Sequence, residues 1–314
     1  MKIIQKDQLN NVLSEKILHR EIIDKSKHGR IIERLILSSK SLLLKYGTDD
    51  GIQNEVMIYK RIGRKTSEVP HVILSDEIEG VYFLVLNWIE GTHPNFTNPQ
   101  DIIIVYKAIG SWAAEWSKRI DELMDIKHDS LNAFEKLENL LSERKDTIKQ
   151  IIPSQTFGLL KYVIQKQDYI LKLLRETPLT LDPGDISLHI IIIRSDDENV
   201  IFIDFESSSI RPMIMFFEHY GEGYESIPNT PKDIDLAERS FLEAWNDQSG
   251  RTIEWECFRH SQICAMIYYK IYNHVYWIQK FLDGNSVEET TEWINNDSEK
   301  LKDLIVKLEA ADIL

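Results

Sequence analysis

Positive charge is in short supply. Lys and Arg number 37 against 51 Asp and Glu, a formal net charge of −14 over 314 residues. A nucleic-acid binder needs the opposite excess, because its affinity comes from cations that neutralise phosphates; no nucleic-acid partner is expected. Cysteine is nearly absent. Cys257 and Cys264 cannot build a disulfide framework. With His260 they share one face of a helix, but two thiols and an imidazole are too few ligands for a closed metal site, so both are expected as buried structural cysteines. No apolar run is long enough to span a bilayer, and the opening MKIIQKDQLNNVLSEK lacks the apolar stretch of a signal peptide. Internal repeats and low-complexity segments are missing too. These absences predict a reduced, cytoplasmic protein with no membrane partner.

What is present is an ordinary globular composition, 43% hydrophobic and 28% charged. The first ninety residues have strand character. Residues 17–23 (ILHREII), 31–39 (IIERLILSS) and 41–46 (SLLLKY) are short aliphatic runs parted by turn-like segments. After Gly51 the period changes: Ile52, Val56, Ile58, Tyr59 and Ile62 recur at helical spacing. Two further strand-like runs, HVILS and VYFLVLNW, flank the acidic turn DEIEG. From Asn98-Pro99, a helix start with proline in the first turn, helices dominate. They are predicted over about 98–120, 132–149, 153–177, 232–248, 252–282 and 287–311. The change of character at Glu90-Gly91-Thr92 predicts two parts, 1–91 and 92–314.

One strand pair interrupts the helices. PGDISLHIIIIR (183–194) and NVIFIDFE (199–206) read as two strands joined by the turn SDDE. Doubling back puts the residue near 190 opposite the residue near 203. At about 3.3 Å per residue, Asp204 then returns to the end of the hairpin where Asp185 stands. A lone acidic residue at a strand end is ordinarily a solvated one. Gly-Asp, an apolar strand, a turn and then Ile-Asp-Phe-Glu together are harder to dismiss.

This stretch resembles the active-site segment of the aminoglycoside phosphotransferase and choline kinase-like family, distant relatives of the protein kinases. The resemblance extends along the chain. Lys45 ends SLLLK, Glu55 lies on the following helix in QNEVMIYK, and LVLNWIEG reads as a hinge. It implies an α+β, protein kinase-like two-lobe fold, with a small β-rich N-lobe (1–91) and a larger, mainly helical C-lobe (92–314). It further implies ATP or GTP with Mg2+ as cofactors. Asp185 would orient the acceptor hydroxyl, while Asp204 and Glu206 would hold the metal. Lys45, backed by Glu55, would contact the phosphates, and the backbone of Asn87, Trp88 and Ile89 would meet the base. Residues 26–30 (SKHGR) stand where protein kinases keep a glycine-rich loop, which this chain lacks. The acceptor would be chosen by the helical part, roughly 115–180 and 216–247, where Trp112, Trp116, Tyr220, Tyr224 and Trp245, or Glu218, Glu222 and Glu225, could receive a cation.

The chain also departs from the family pattern. Pro183 replaces a histidine, and Ile190 stands where the family has a magnesium-binding Asn. IRPMIMFFEHY replaces a Gly-Pro segment ending in a bracing Asp. An isoleucine supplies no oxygen to a hard cation. Two readings follow: a phosphotransferase, acting on a small molecule or peptide, with activity impaired at Ile190; or a pseudokinase serving as nucleotide-binding or scaffold partner subunit, for example in a peptide-modifying complex. In the second, IRPMIMFF would be a docking surface if exposed.

Overall fold

A computed structural model of the chain describes Leu9, Leu13 and residues 15–25, 29–184, 186–220 and 227–311. The chain divides into two compact units. The first comprises Met1–His128, Leu181–Ile210 and Tyr224–Gln248, the second Asp129–Thr180, Arg211–Gly223 and Ser249–Leu314.

The first unit is built on a five-stranded antiparallel sheet. Its strands are β1 (His19–Lys25), β2 (Ile31–Ile36), β3 (Ser41–Gly47), β4 (Val72–Ile78) and β5 (Val81–Asn87), in the order β1-β2-β3-β5-β4. Alternation decides its inner face: in β2 the odd positions Ile31, Glu33 and Leu35 are buried and the even ones are not. Leu42, Leu44, Tyr46, Val81, Phe83 and Val85 join Ile31 and Leu35 in one apolar cluster. Between β3 and β4 runs helix α1 (Asp50–Ile62). Asp49 starts it, its carboxylate accepting from the N–H groups of Gly51 and Ile52. Expected order and observed order agree: three strands, one helix, two strands.

The sequence repeats Ile102, Tyr106, Ile109, Ala113, Trp116 and Ile120 at steps of four and three; helix α2 (Pro99–Lys118), capped by Asn98, buries the first five, while Ile120 lies past its end and is half-buried. Its Trp112 donates through Nε1 to the Leu181 carbonyl at 2.7 Å and packs on Phe202, ring centroids 5.1 Å apart. It thereby fixes the second sheet of this unit. That sheet joins β6 (Gly91–Thr92), β8 (Ile191–Arg194) and β9 (Val200–Phe202) in the order β6-β8-β9. The remaining strands are β7 (Leu179–Asp182) and β10 (Ser209–Pro212).

The second unit is helical. Its helices are α3 (Ala133–Glu143), the single turn α4 (Lys145–Ile148), α5 (Ser154–Gln165) and α6 (Gln167–Glu176); after α7 (Pro231–Ser249) come α8 (Trp255–Leu282) and α9 (Val287–Ala311). The helix predicted over 153–177 is two. At Lys166 the N–H bonds the Val163 carbonyl three residues back, and the chain restarts at Gln167. The segment Met213–Phe217 forms a short 3-10 helix with all five side chains buried, so IRPMIMFF presents no docking surface. Cys264 is buried as expected, but Cys257, in the first turn of α8, is exposed. His260 Nε2 lies 2.9 Å from the Tyr169 hydroxyl. Among the described residues no helix is long and apolar enough to cross a membrane.

Candidate functional site

Lys45 lies on β3, the middle strand, paired on either side with Ile32 and Leu84. Only 5% exposed, its ammonium sits among apolar side chains. An unpaired charge there would be untenable, and two carboxylates answer it. Glu55, 1% exposed on α1, approaches Nζ at 2.5 Å through Oε2; Asp204, beyond β9, does so at 2.5 Å through Oδ1. Burial works to lower the lysine's pKa, but the two carboxylates outweigh it and leave it raised. Glu55 is pushed up by burial, against the pull of Lys45, with Asp204 adding to the rise. Asp204 differs from both partners in that 41% of its side chain is exposed.

The hairpin brings Asp204 there. Ile191 pairs with Phe202, Ile192 with Ile201 and Ile193 with Val200. The Ile203 N–H then donates to the Ile190 carbonyl at 2.9 Å, so the ladder runs one step further and ends beside Asp204. The predicted opposition of 190 and 203 is present. Ile190 itself is 5% exposed and apolar. Asp204 has φ +65°, a left-handed conformation that a non-glycine residue adopts at a cost of roughly 1–3 kcal/mol. Such strain persists only where neighbours over-determine it. Here Lys45 holds the side chain, and Glu55 Oε1 accepts from the Phe205 N–H at 3.3 Å. The Phe205 ring is anchored edge-on against Tyr59 of α1, centroids 5.3 Å apart.

Glu206, expected as a metal ligand, is ion-paired with Arg30. Arg30 also meets Asp49, Nε to Oδ2 3.2 Å. This guanidinium links the start of β2, the N-terminus of α1 and the segment after Asp204. Gly47 makes room for it: a Cβ there would stand 2.8 Å from Arg30 Cγ. Asn87 closes β5, where its N–H donates to the His71 carbonyl at 2.9 Å and that of Trp88 to the Ser41 carbonyl at 3.4 Å. The Trp88 ring carries the Arg34 guanidinium at 4.3 Å. Ile89 follows, half-buried.

Asp185 lies outside the described residues, as do Glu222, Tyr224 and Glu225. Trp112, Trp116, Tyr220 and Trp245 are buried, filling cores rather than lining a cation pocket. Glu218 is buried against Arg211. His189 is exposed. Among the described residues no group of three or more His, Cys, Asp or Glu converges as a metal centre. Arg30, Asp49 and Asn54 were not singled out from sequence. Arg30 is the ion-pair partner of both Asp49 and Glu206. Asn54 donates to backbone carbonyls some 150 residues away, and backbone acceptors leave no trace in composition.

No protein-family model and no curated protein matches this sequence. Solved structures do. An aminoglycoside phosphotransferase from Alicyclobacillus acidocaldarius superposes with a TM-score of 0.61 at 10% identity, covering 100% of this chain and 98% of its own. A choline kinase from Cryptosporidium parvum gives 0.62 at 14% identity, covering 94% and 91%. A spectinomycin phosphotransferase solved with ADP and spectinomycin gives 0.56 at 15%, covering 94% and 95%. At 10–15% identity these likenesses show the fold: the chain is similar in structure to the aminoglycoside phosphotransferase and choline kinase chains, a two-lobe protein kinase-like fold.

Proposed function

We propose that the chain is an ATP-dependent phosphotransferase that moves a phosphoryl group to a hydroxyl of a small molecule or peptide. One observation carries the reading: a buried lysine, Lys45, is held between Glu55 and Asp204, the latter 159 positions away from it in sequence. Phosphoryl transfer is largely positioning and charge neutralisation, and such a lysine serves both. In this reading Lys45 binds nucleotide phosphates and Glu55 orients it. The end of β5 at Asn87, Trp88 and Ile89 meets the base, and Asp185 orients the acceptor. The division into a nucleotide-binding part (1–91) and a helical part with the hairpin (92–314) belongs to the same proposal.

The donor set fits a hard cation. Asp204 and Glu206 offer carboxylate oxygens, the ligand type Mg2+ takes, with water and phosphate completing its shell. Bound Mg2+ would offset phosphate charge. Glu206 would have to leave Arg30 to contribute. The surplus of acid suits a cationic acceptor.

Thermal unfolding with and without Mg2+ and ATP or GTP tests the reading. Nucleotide with metal should raise Tm, and Asp204→Asn should remove the metal-dependent part. Asp185→Asn should keep the shift and abolish transfer. A wild-type chain whose Tm ignores both nucleotides would overturn the proposal. Ile190 favours a second reading, a pseudokinase acting as nucleotide-binding partner subunit, because its buried side chain offers no oxygen beside Asp204. Ile190→Asn separates the two: an impaired enzyme gains turnover, a pure binding subunit gains none.

A further inference from the structure

The backbone from Asp204 to Ser208 is held from within by one turn bond, the Ser208 N–H donating to the Phe205 carbonyl at 3.2 Å. It leaves β9 through a left-handed residue and makes no ladder of its own. Helix α1 supplies what is missing. Beside Glu55, the Asn54 side-chain amide Nδ2 donates to three carbonyls of this segment: Glu206 at 3.0 Å, Ser208 at 3.1 Å and Phe205 at 3.4 Å. One amide group thus stitches the turn that follows Asp204 to the helix that carries Glu55.

The stitch continues. The Ser208 hydroxyl, on a residue 1% exposed, donates to the Pro183 carbonyl at 2.6 Å. Proline has no N–H, so this carbonyl is the only backbone hydrogen-bonding group Pro183 has. The next residue, Gly184, has φ +116°, and a Cβ there would stand 2.9 Å from Ser207 Cβ and 3.0 Å from its carbonyl carbon. The two loops are therefore packed against each other at the step before Asp185. Losing the Ser208 hydroxyl would strand a buried carbonyl and free that contact to drift.

We infer that Asn54 and Ser208 form a positioning relay, from helix α1 through the 204–208 turn to Pro183, that sets the loop entering Asp185 in register with Asp204. The inference rests on the phosphotransferase reading for its functional meaning, but its geometry is independent of that reading. Neither residue touches reacting atoms; both act through backbone. Because Asn54 and Glu55 are neighbours on one helix, a movement of α1 reaches Lys45 and Pro183 together. The nucleotide side and the acceptor side of the site are thereby coupled.

Four variants of the full chain test it: Ser208→Ala, Ser208→Thr, Asn54→Leu and the Ser208→Ala/Asn54→Leu double. Phosphate release from Mg-ATP without acceptor is measured with amide hydrogen exchange over residues 183–190. Misplacement by about 1 Å can cost on the order of a hundredfold. Ser208→Ala and Asn54→Leu should therefore each lower kcat about ten- to a hundredfold, with KM for Mg-ATP changed less than about twofold. Ser208→Thr should recover most of the loss, and the double should be no worse than the poorer single, as members of one relay are not additive. Independent, additive losses, or losses in KM with kcat kept, would overturn the relay. If the wild type releases no phosphate and its Tm ignores Mg-ATP and Mg-GTP, the phosphotransferase reading fails; whenever no phosphate is released, exchange alone judges the relay. Faster exchange at 186–190 in Ser208→Ala supports it, and unchanged exchange refutes it.

Discussion

Among the described residues two lysines are buried, one in each compact unit, and their surroundings differ in kind. Lys45, 5% exposed, meets two carboxylates, one of them on a side chain 41% exposed. Lys270 on α8, 2% exposed, meets one, Asp297 on α9, at 2.8 Å and 3% exposed. Beside that pair His274 closes the network, its Nδ1 2.6 Å from the Lys270 carbonyl and its Nε2 3.0 Å from Ser298 Oγ. A carbonyl only accepts, so Nδ1 carries a proton; Ser298 Oγ, which also donates to the Ile294 carbonyl at 2.6 Å, lies against Nε2. The second cluster is formally neutral and sealed. The first carries one negative charge too many and opens to solvent at Asp204. A buried neutral pair is complete in itself, whereas an excess carboxylate at an open edge wants a cation from outside. Charge stoichiometry, rather than burial, separates a structural pair from a binding site.

Exchanging each lysine for methionine sharpens the contrast. Lys45→Met should lower nucleotide-dependent activity at least about a hundredfold, the loss typical of one charge-stabilising group. The fold should persist, because Glu55, already pushed up by burial and by Asp204, can take a proton. Lys270→Met should do the reverse. It leaves Asp297 buried without its partner and should cost about 3–5 kcal/mol in denaturant unfolding, with nucleotide affinity of the folded protein unchanged. Adding Asp297→Leu should return most of that stability. If Lys45→Met unfolds the chain while Lys270→Met is silent, the stoichiometric distinction is wrong.

Much of this was legible in the sequence, for physical reasons that also set the limit. The order of strands and helix in the first ninety residues shows in period alone, as does the α2 stripe, because each element buries one face. The hairpin was legible because four isoleucines flanked by turn residues admit few other folds. Lys45, Glu55 and Asp204 were singled out by their order along the chain, although sequence could not say that one ammonium meets both carboxylates. Arg30, Asn54 and Ser208 escaped, since they act on ion-pair partners or carbonyls distant in sequence. The break at Lys166 escaped as well: Val163 and Ile170, seven residues apart, continue one buried stripe across it, so periodicity alone predicts a single helix. Cys257 was misplaced because a residue in the first turn of a helix can face solvent while its heptad mate is buried.

The smallest expected effects concern pH, and they carry opposite signs in the two units. Glu68, after α1, lines a cavity of about 380 Å³ with Lys65, Thr66, Ser67, Glu115 and Asn199. Burial first, then the charge of Glu115, raise its pKa from 4.5 to about 7, against a hydrogen bond from Thr66. The cations near it are already engaged, Arg119 with Glu115 at 2.6 Å and Lys65 with Glu122 at 2.6 Å. As pH rises from 4.5 towards 7 the unfolded chain gives up this proton before the folded one, so Glu68's contribution is full below 4.5 and gone above 7. His274 works the other way. Burial lowers its pKa, so below its ordinary value of 6.5 the unfolded chain binds the proton first, and stability falls as pH drops. Between pH 4.5 and 6.5 the two trends oppose each other in Tm, and above 7 neither group adds a slope. Against the wild type, Glu68→Gln should remove the loss that comes as pH rises from 4.5 to 7, about 1–2 kcal/mol discounted for its partial exposure, and leave the loss at falling pH alone. His274→Gln should remove only the loss that comes as pH drops below 6.5, on a lower baseline because its contact with Ser298 is lost. If one variant removes both trends, the two groups do not titrate independently, and the division of the chain into an open, charged unit and a sealed, neutral one loses its electrostatic basis.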